Sequence, residues 1–314
     1  MEFAGLLSYA VFFVTLAGIY GLMTLGLNIQ WGGAGMLNIG IAGFFATGAY
    51  TAALLTAPAT AGGMAGLGLP FPLALAIAAV VSGILAALIG LLTLNLRSDY
   101  LAISSIGIAE IVRLVLKNEA WLTNGVRGLG GIPNPVAGLV PGADRLVYMI
   151  MVLVLLVLVY WMLERAWRSP WGRTLRAIRD DETAARAMGK NALGFRLEAF
   201  VLGSAIMGLA GGLYAHFARF ISPEAFDPVF ATFIVWVMLI AGGSGNNRGA
   251  ILGAFAIWAV WAGSEVLTNR LPPELVSQAG AVRVLLIGVM LLAILMIRPG
   301  GILPERPPPS IDRR

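Results

Sequence analysis

The chain has 314 residues, 59% hydrophobic and 12% charged, with 21 Lys and Arg against 16 Asp and Glu, and its mean hydropathy is +0.86. Soluble domains carry roughly 25% charged residues, so an ordinary soluble protein is excluded. There is no Cys, and His216 is the single His, which removes a disulfide scaffold, a thiolate metal site, a cysteine nucleophile and any multi-histidine centre; neither a metal nor another cofactor is expected. The net charge of +5 is read as membrane topology rather than nucleic-acid binding, because basic residues in so apolar a chain mark cytoplasmic loops.

A hydrocarbon core of about 30 Å takes about 20 helical residues. Apolar runs predict spans near 6–27, 34–56, 71–96, 100–117, 145–163, 197–217, 229–244, 249–268 and 282–298. The predicted fold is thus an all-α polytopic membrane protein of about nine transmembrane helices, with eight to ten as the range. The first run follows Glu2 rather than a basic n-region, which reads as a span and not a cleaved signal. The second is crowded by Gly32, Gly33, Gly35, Gly40, Gly43 and Gly48. Each interior Gly costs about 1 kcal/mol of helix propensity, so a bent or interrupted helix is expected there.

Arg165, Arg168, Arg173, Arg176, Arg179, Arg186, Lys190 and Arg196 crowd residues 164–196, whereas 57–70 and 269–281 hold only Arg270. The 164–196 loop is therefore expected in the cytoplasm, with the N-terminus outside and the C-terminus inside. Gly and Pro residues punctuate 118–144, which is then external and irregular. Residues 1–300 read as one transmembrane domain and 301–314 as a Pro-rich cytoplasmic tail without a packed core. One internal echo stands out: GGAG at 32–35 leads to GAY at 48–50, and GGSG at 242–245 leads to GAF at 253–255. Paired Gly-interrupted helices point to a duplicated transporter fold, although chance recurrence of such short strings is the competing explanation in a chain with 40 Gly.

Motifs for chemistry are mostly missing. Gly189-Lys190 is followed by Asn191 and lacks the earlier Gly of a phosphate-binding loop. His216 near Ser222, Glu224 and Asp227 falls where a short external loop is expected, and it reads as an interfacial helix-end residue rather than a catalytic base. The segment SPWGRTLRAIRDDETAARAMGKN at 169–191 is the informative one. Ser169 suits an N-cap, Pro170 the first helical position and Gly189 the stop. Leu175, Ile178, Ala185 and Met188 form an apolar stripe, with Arg173, Arg176, Arg179, Asp180, Asp181, Glu182 and Arg186 on the rest. A solvated helix or one resting on anionic headgroups would fit, but the acidic cluster favours a protein partner.

Ala184, Ala185 and Gly189 resemble the A-A-x-x-x-G core with which ABC importer permeases present a coupling helix to their ATPase. Here Thr183 precedes the Ala pair where that family has Glu, Glu182 stands one place earlier, and the downstream I-x-L-P is missing. Taken in order with GLNIQWGGAGMLNIGIAGFFATGAY at 26–50, SDYLAISSIGIAEIVRLVLKN at 98–118, NGVRGLGGIP at 124–133, SPWGRTLRAIRDDETAARAMG at 169–189, LAGGLYAHFARFISPEAF at 209–226 and MLIAGGSGNNRGAILGA at 238–254, the chain resembles permease subunits of branched-chain amino acid ABC importers, in particular the LivM type. The resemblance spans roughly residues 15–300. It implies an inner-membrane, non-enzymatic subunit of a bacterium, paired with a second permease of LivH type, two cytoplasmic ATPases that hydrolyse the ATP, and a periplasmic or extracellular solute-binding protein. Urea, amide and aromatic-acid importers share the family and are alternative substrates within that reading.

Polar residues at membrane depth are the candidates for a pathway or a contact with the partner permease, since an unpaired charge there costs at least about 2.5 kcal/mol. Glu110 and Arg113 lie three apart on one helical face, with Lys117 a turn on, so a structural pair competes with solute contact. Asn28, Gln30 and Asn38 bracket the start of the Gly-rich second span. An opened backbone there could line a cavity or meet the partner permease, and Gly-mediated packing is the alternative. A stand-alone secondary transporter or channel, or a membrane-embedded enzyme, remains the rival class; the basic 169–191 segment argues against the first and the scarcity of His and Cys against the second.

Overall fold

The computed structural model describes residues 2–57, 66–96, 98–268 and 279–305. Most of the loops at 57–70 and 269–281, Arg270 included, lie outside them. The chain is an all-α bundle, and each predicted span overlaps a helix: α1 (Glu2–Asn28), α2 (Ile41–Thr56), α3 (Phe71–Thr93), α4 (Ser98–Asn118), α6 (Asp144–Arg168), α9 (Ala192–Ala218), α10 (Pro228–Gly242), α11 (Asn247–Thr268) and α12 (Ala279–Ile297). Among the described residues six stretches are long and apolar enough to cross a bilayer: Gly5–Gly33, Phe71–Thr93, Asp144–Arg168, Ala192–Ala218, Pro223–Gly242 and Gly280–Ile297. α2, at 16 residues, reaches only about 24 Å. α4 carries Asp99, Glu110, Arg113 and Lys117.

α9 runs through the middle, touching α1, α2 and α3, and its small residues make this possible. A Cβ at Gly48 of α2 would stand 2.0 Å from the Gly208 carbonyl oxygen, and one at Gly26 of α1 would stand 2.5 Å from that of Gly203. Two apolar helices in lipid gain nothing from hydrophobicity alone, so such backbone-to-backbone approach supplies the van der Waals contact that holds them together. α10 and α11 meet in the same way, with Gly242 against Gly249 and Gly253. The outward faces of α3, α6 and α12 are apolar and exposed, Leu92 at 79% and Met296 at 86% among them.

Residues 119–143 are irregular, as their Gly and Pro content predicts. They contain a one-turn helix α5 (Ala120–Thr123) and a strand β1 (Leu129–Gly130) paired antiparallel with β2 (Phe220–Ile221). The interruption expected in the second span, 34–56, is present: α1 runs on as a π-helix over Ile29–Gly33, and helix resumes only at Ile41. Two expectations need correction. The 169–191 segment is two helices, α7 (Pro170–Asp180) and α8 (Glu182–Ala187), because Asp181 is extended and its carboxylate accepts a bond from the Ala184 N–H at 2.9 Å, capping α8. Ser169 makes no cap; its hydroxyl donates back to the Ala166 carbonyl. Lastly, residues 301–305 are docked rather than loose, with the N–H groups of Ile302 and Leu303 donating to Ala241 and Gly242 carbonyls at 2.9 Å; residues 306–314 lie outside the described part.

Candidate functional site

The break between α1 and α2 exposes backbone groups in an apolar interior, where each unpaired one costs several kcal/mol. The sequence supplies partners at the positions singled out above. Asn38 Oδ1 accepts the Gly40 N–H at 2.8 Å, and its Nδ2 donates to Gln30 Oε1 at 2.8 Å. Gln30 Nε2 in turn donates to the Phe200 carbonyl at 2.9 Å and Ser204 Oγ at 3.0 Å on α9. Trp236 Nε1 and Thr232 Oγ1 of α10 donate to the Asn38 and Ile39 carbonyls, and Ser105 Oγ of α4 accepts the Ile39 N–H at 2.9 Å. Asn28 closes the other side: its Oδ1 accepts the Gly245 N–H at 2.8 Å and its Nδ2 donates to Asn247 Oδ1 at 2.9 Å. Asn28, Gln30 and Asn38 are all fully buried. The bonds found for them are made within this chain.

The two GGxG strings meet here. A Cβ at Gly32 would stand 2.4 Å from the Gly245 nitrogen, so the break after α1 and the α10–α11 turn are in direct contact. Docked on that turn is the C-terminal segment: Asn246 Nδ2 donates to the Leu303 and Pro304 carbonyls at 3.3 and 3.2 Å.

α7 attaches the basic segment to the same place. Its Leu175, fully buried, reaches Gly33 together with Trp167. Arg179 lies over Gly35, which adopts φ +66 and whose missing side chain leaves room for the arginine stem. The Arg179 guanidinium donates to the Gly32 carbonyl, to Glu305 at 2.9 Å and to Asp180 at 2.9 Å. Burial alone would lower its pKa, and the two carboxylates outweigh that and raise it. A charge-assisted bond thus holds a carbonyl freed by the break.

The rest of the segment is split by burial. Ala185 is buried against Ile178, Ala192 and Phe195, so it faces this chain and not outward. Met188, placed on the apolar stripe by sequence, is 81% exposed, because the turn at Asp181 re-aims α8. Ala184, Ala187, Met188 and Gly189 form an exposed small-residue patch, and Gly189, φ +76, ends the segment. Glu182 pairs with Arg186 at 2.6 Å and Arg196 at 3.2 Å; Arg173 is exposed, and Arg176 bonds the Gly172 and Trp167 carbonyls.

Glu110 and Arg113 do pair, at 2.6 and 2.9 Å, away from the break. Arg113 also reaches Glu224 at 3.2 Å, which takes Lys117 at 2.9 Å. These four charges tie the end of α4 to the turn before α10. His216 stands in the last turn of α9, as expected, and is 2% exposed there, bonded to Thr56 Oγ1 at 2.9 Å and the Gly212 carbonyl at 2.8 Å. Asn247, Glu305, Ser105 and Ser204 are the partners that sequence reasoning missed. They sit 66 to 219 positions from the groups they serve, and no local pattern joins them.

The profile of the family described as "Branched-chain amino acid transport system / permease component" matches residues 9–295. Two relatives, each called "High-affinity branched-chain amino acid transport system permease protein LivM", come from Salmonella typhimurium and Escherichia coli. Each is 33% identical over 94% of this chain and 70% of its own length. "Probable branched-chain amino acid transport permease protein LivM" of Methanocaldococcus jannaschii is 30% identical over 92% of both chains. No solved structure matches.

The bonding around Asn38 yields a stability test. Asn38→Ala orphans the Gly40 N–H and Gln30 Oε1, each worth about 1–3 kcal/mol when buried and unpaired. Thermal unfolding of the purified chain should show a marked loss, whereas Thr51→Ala, which removes only a hydroxyl bonded back to its own helix, should change little. Equal stability of the two variants would contradict the role given to Asn38.

Proposed function

The chain belongs to the family of branched-chain amino acid transport permeases, LivM type, and from that membership we propose that it passes branched-chain amino acids inward as one half of the membrane part of an ABC importer. Its partners in this reading are a second permease of LivH type, two ATPases that bind the basic segment, and a solute-binding protein on the far side that selects the solute. The polypeptide crosses the bacterial inner membrane about nine times, N-terminus outside and C-terminus within, since the eight basic residues of 164–196 fix that loop in the cytoplasm.

One observation carries the coupling part. The basic segment is fastened, through Arg179, to the Gly32 carbonyl at the broken end of the first span, and through Glu305 to the C-terminal residues docked on the α10–α11 turn. A push on the segment would therefore reach both the break after α1 and the α10–α11 turn. The patch on which an ATPase rests is Ala184, Ala187, Met188 and the acidic Asp180–Asp181 corner. Ala185 supports the patch from beneath. Small exposed residues let another protein's cleft come close.

Sidedness is tested with single cysteines, which this cysteine-free chain makes clean. Leu139→Cys, 67% exposed in the wild type, should react with an impermeant thiol reagent on intact cells, and Asp180→Cys only after the membrane is opened. The reverse pattern would invert the topology. Coupling is tested in the reconstituted complex: Ala184→Trp and Met188→Asp should each lower uptake and solute-stimulated ATP hydrolysis at least about tenfold, a loss of roughly 1.4 kcal/mol or more, with yield and pairing with the second permease unchanged. Normal uptake in both variants would contradict docking at this patch and favour a transporter working alone.

A further inference from the structure

One end of the bundle, where α1, α6 and α9 meet, holds two adjoining cavities of about 460 and 530 Å3. Both are lined by Val11, Asp144, Arg145 and Arg219. Arg145 and Arg219 are exposed there, beside a half-buried Asp144. Every salt bridge found among the described residues lies elsewhere, so neither guanidinium is matched by a carboxylate there. Asp144 accepts only long bonds, from Asn134 Nδ2 at 3.5 Å and the Gly138 N–H at 3.3 Å, which leaves it capacity for a further donor. The backbone is fixed at this point: Arg219 closes α9 at φ 58, and its carbonyl accepts the Ile132 N–H beside the β1–β2 pair.

The other wall is apolar and continuous with the outside of the bundle. Leu7 and Phe12, 52% and 48% exposed, line the cavities and share the α1 surface with Leu6 and Tyr9. Exposed apolar helix surface of that extent belongs in hydrocarbon. The cavity therefore has a charged end, with two unmatched cations beside one anion, and opens along a strip facing acyl chains. A soluble zwitterion would use the charges and leave the strip without purpose. An amphiphile uses both.

We propose that this end of the bundle binds a phospholipid of phosphatidylethanolamine type, its phosphodiester held by Arg145 and Arg219, its ammonium by Asp144, and an acyl chain along Leu7, Val11, Phe12 and Leu16. Bidentate guanidinium bonds suit a phosphodiester, and Asp144 distinguishes an aminoethyl headgroup from glycerol. The site requires only that the chain sits in a bilayer, so its failure leaves the transport reading untouched.

The test is native mass spectrometry of the full chain released from nanodiscs of equal phosphatidylethanolamine, phosphatidylglycerol and phosphatidylcholine. The wild type should retain one phosphatidylethanolamine in preference to the others. Arg145→Gln with Arg219→Gln should lower that retention at least tenfold, Arg145→Lys with Arg219→Lys should keep most of it, and Asp144→Asn should shift preference to phosphatidylglycerol. An unchanged elution profile in size exclusion shows that the variants fold. Equal retention by the Gln variant overturns the proposal. So does retention of radiolabelled leucine by the purified chain that the same two substitutions abolish, since a soluble zwitterion would then occupy the cavity.

Discussion

A membrane interior tolerates a break in a helix only if every backbone group that the break frees finds a partner. Between Gly33 and Ile41 this chain gives up helix, and most of the architecture nearby answers that one demand. Side chains from α4 and α10 converge on residues 38–40, Asn38 and Gln30 link that stretch to α9, and Asn28 ties the end of α1 to the α10–α11 turn. The glycine contacts of α9 with α1 and α2 serve the same end, because only helices brought to backbone distance place the Phe200 carbonyl and Ser204 within reach of Gln30.

The break is satisfied from the membrane side by neutral side chains and from the other side by a charge. Arg179 comes from a segment whose remaining charges meet solvent, one another or backbone groups nearby in sequence, yet its guanidinium is turned inward to Gly32 and Glu305. The bond is half-buried and charge-assisted, so the segment and the break are expected to move together. In the proposed reading transport is driven from outside the membrane and needs such a connection, and the contact of Gly32 with Gly245 extends it to the second Gly-rich turn.

Apolar run length made the helices legible in the sequence, and Gly density pointed to the interruption. What could not be read was its form: Gly density marked the span as weak, but nothing local announced the π-helix that carries α1 past Gly32 before the chain opens. The stripe of Leu175, Ile178 and Ala185 was legible from periodicity, and all three are buried. Met188 was misplaced because a single extended residue, Asp181, resets the phase. The functions of Asn28, Gln30 and Asn38 were hidden for another reason. Polarity at membrane depth marks a residue as important without saying whether water, solute or backbone is its partner, and here the partners lie up to 219 positions away. His216 shows the same ambiguity, since Thr56 is its partner across the bundle.

The central claim, that the basic segment and the broken end of the first span form one mechanical unit, is most directly tested by amide hydrogen exchange on the assembled transporter with and without an ATP analogue. The account predicts that nucleotide changes protection in residues 170–189 and in residues 33–40 together, while the α2–α9 contact around Gly48 and Gly208 stays protected throughout. Altered exchange in 170–189 with no change in 33–40 would contradict it.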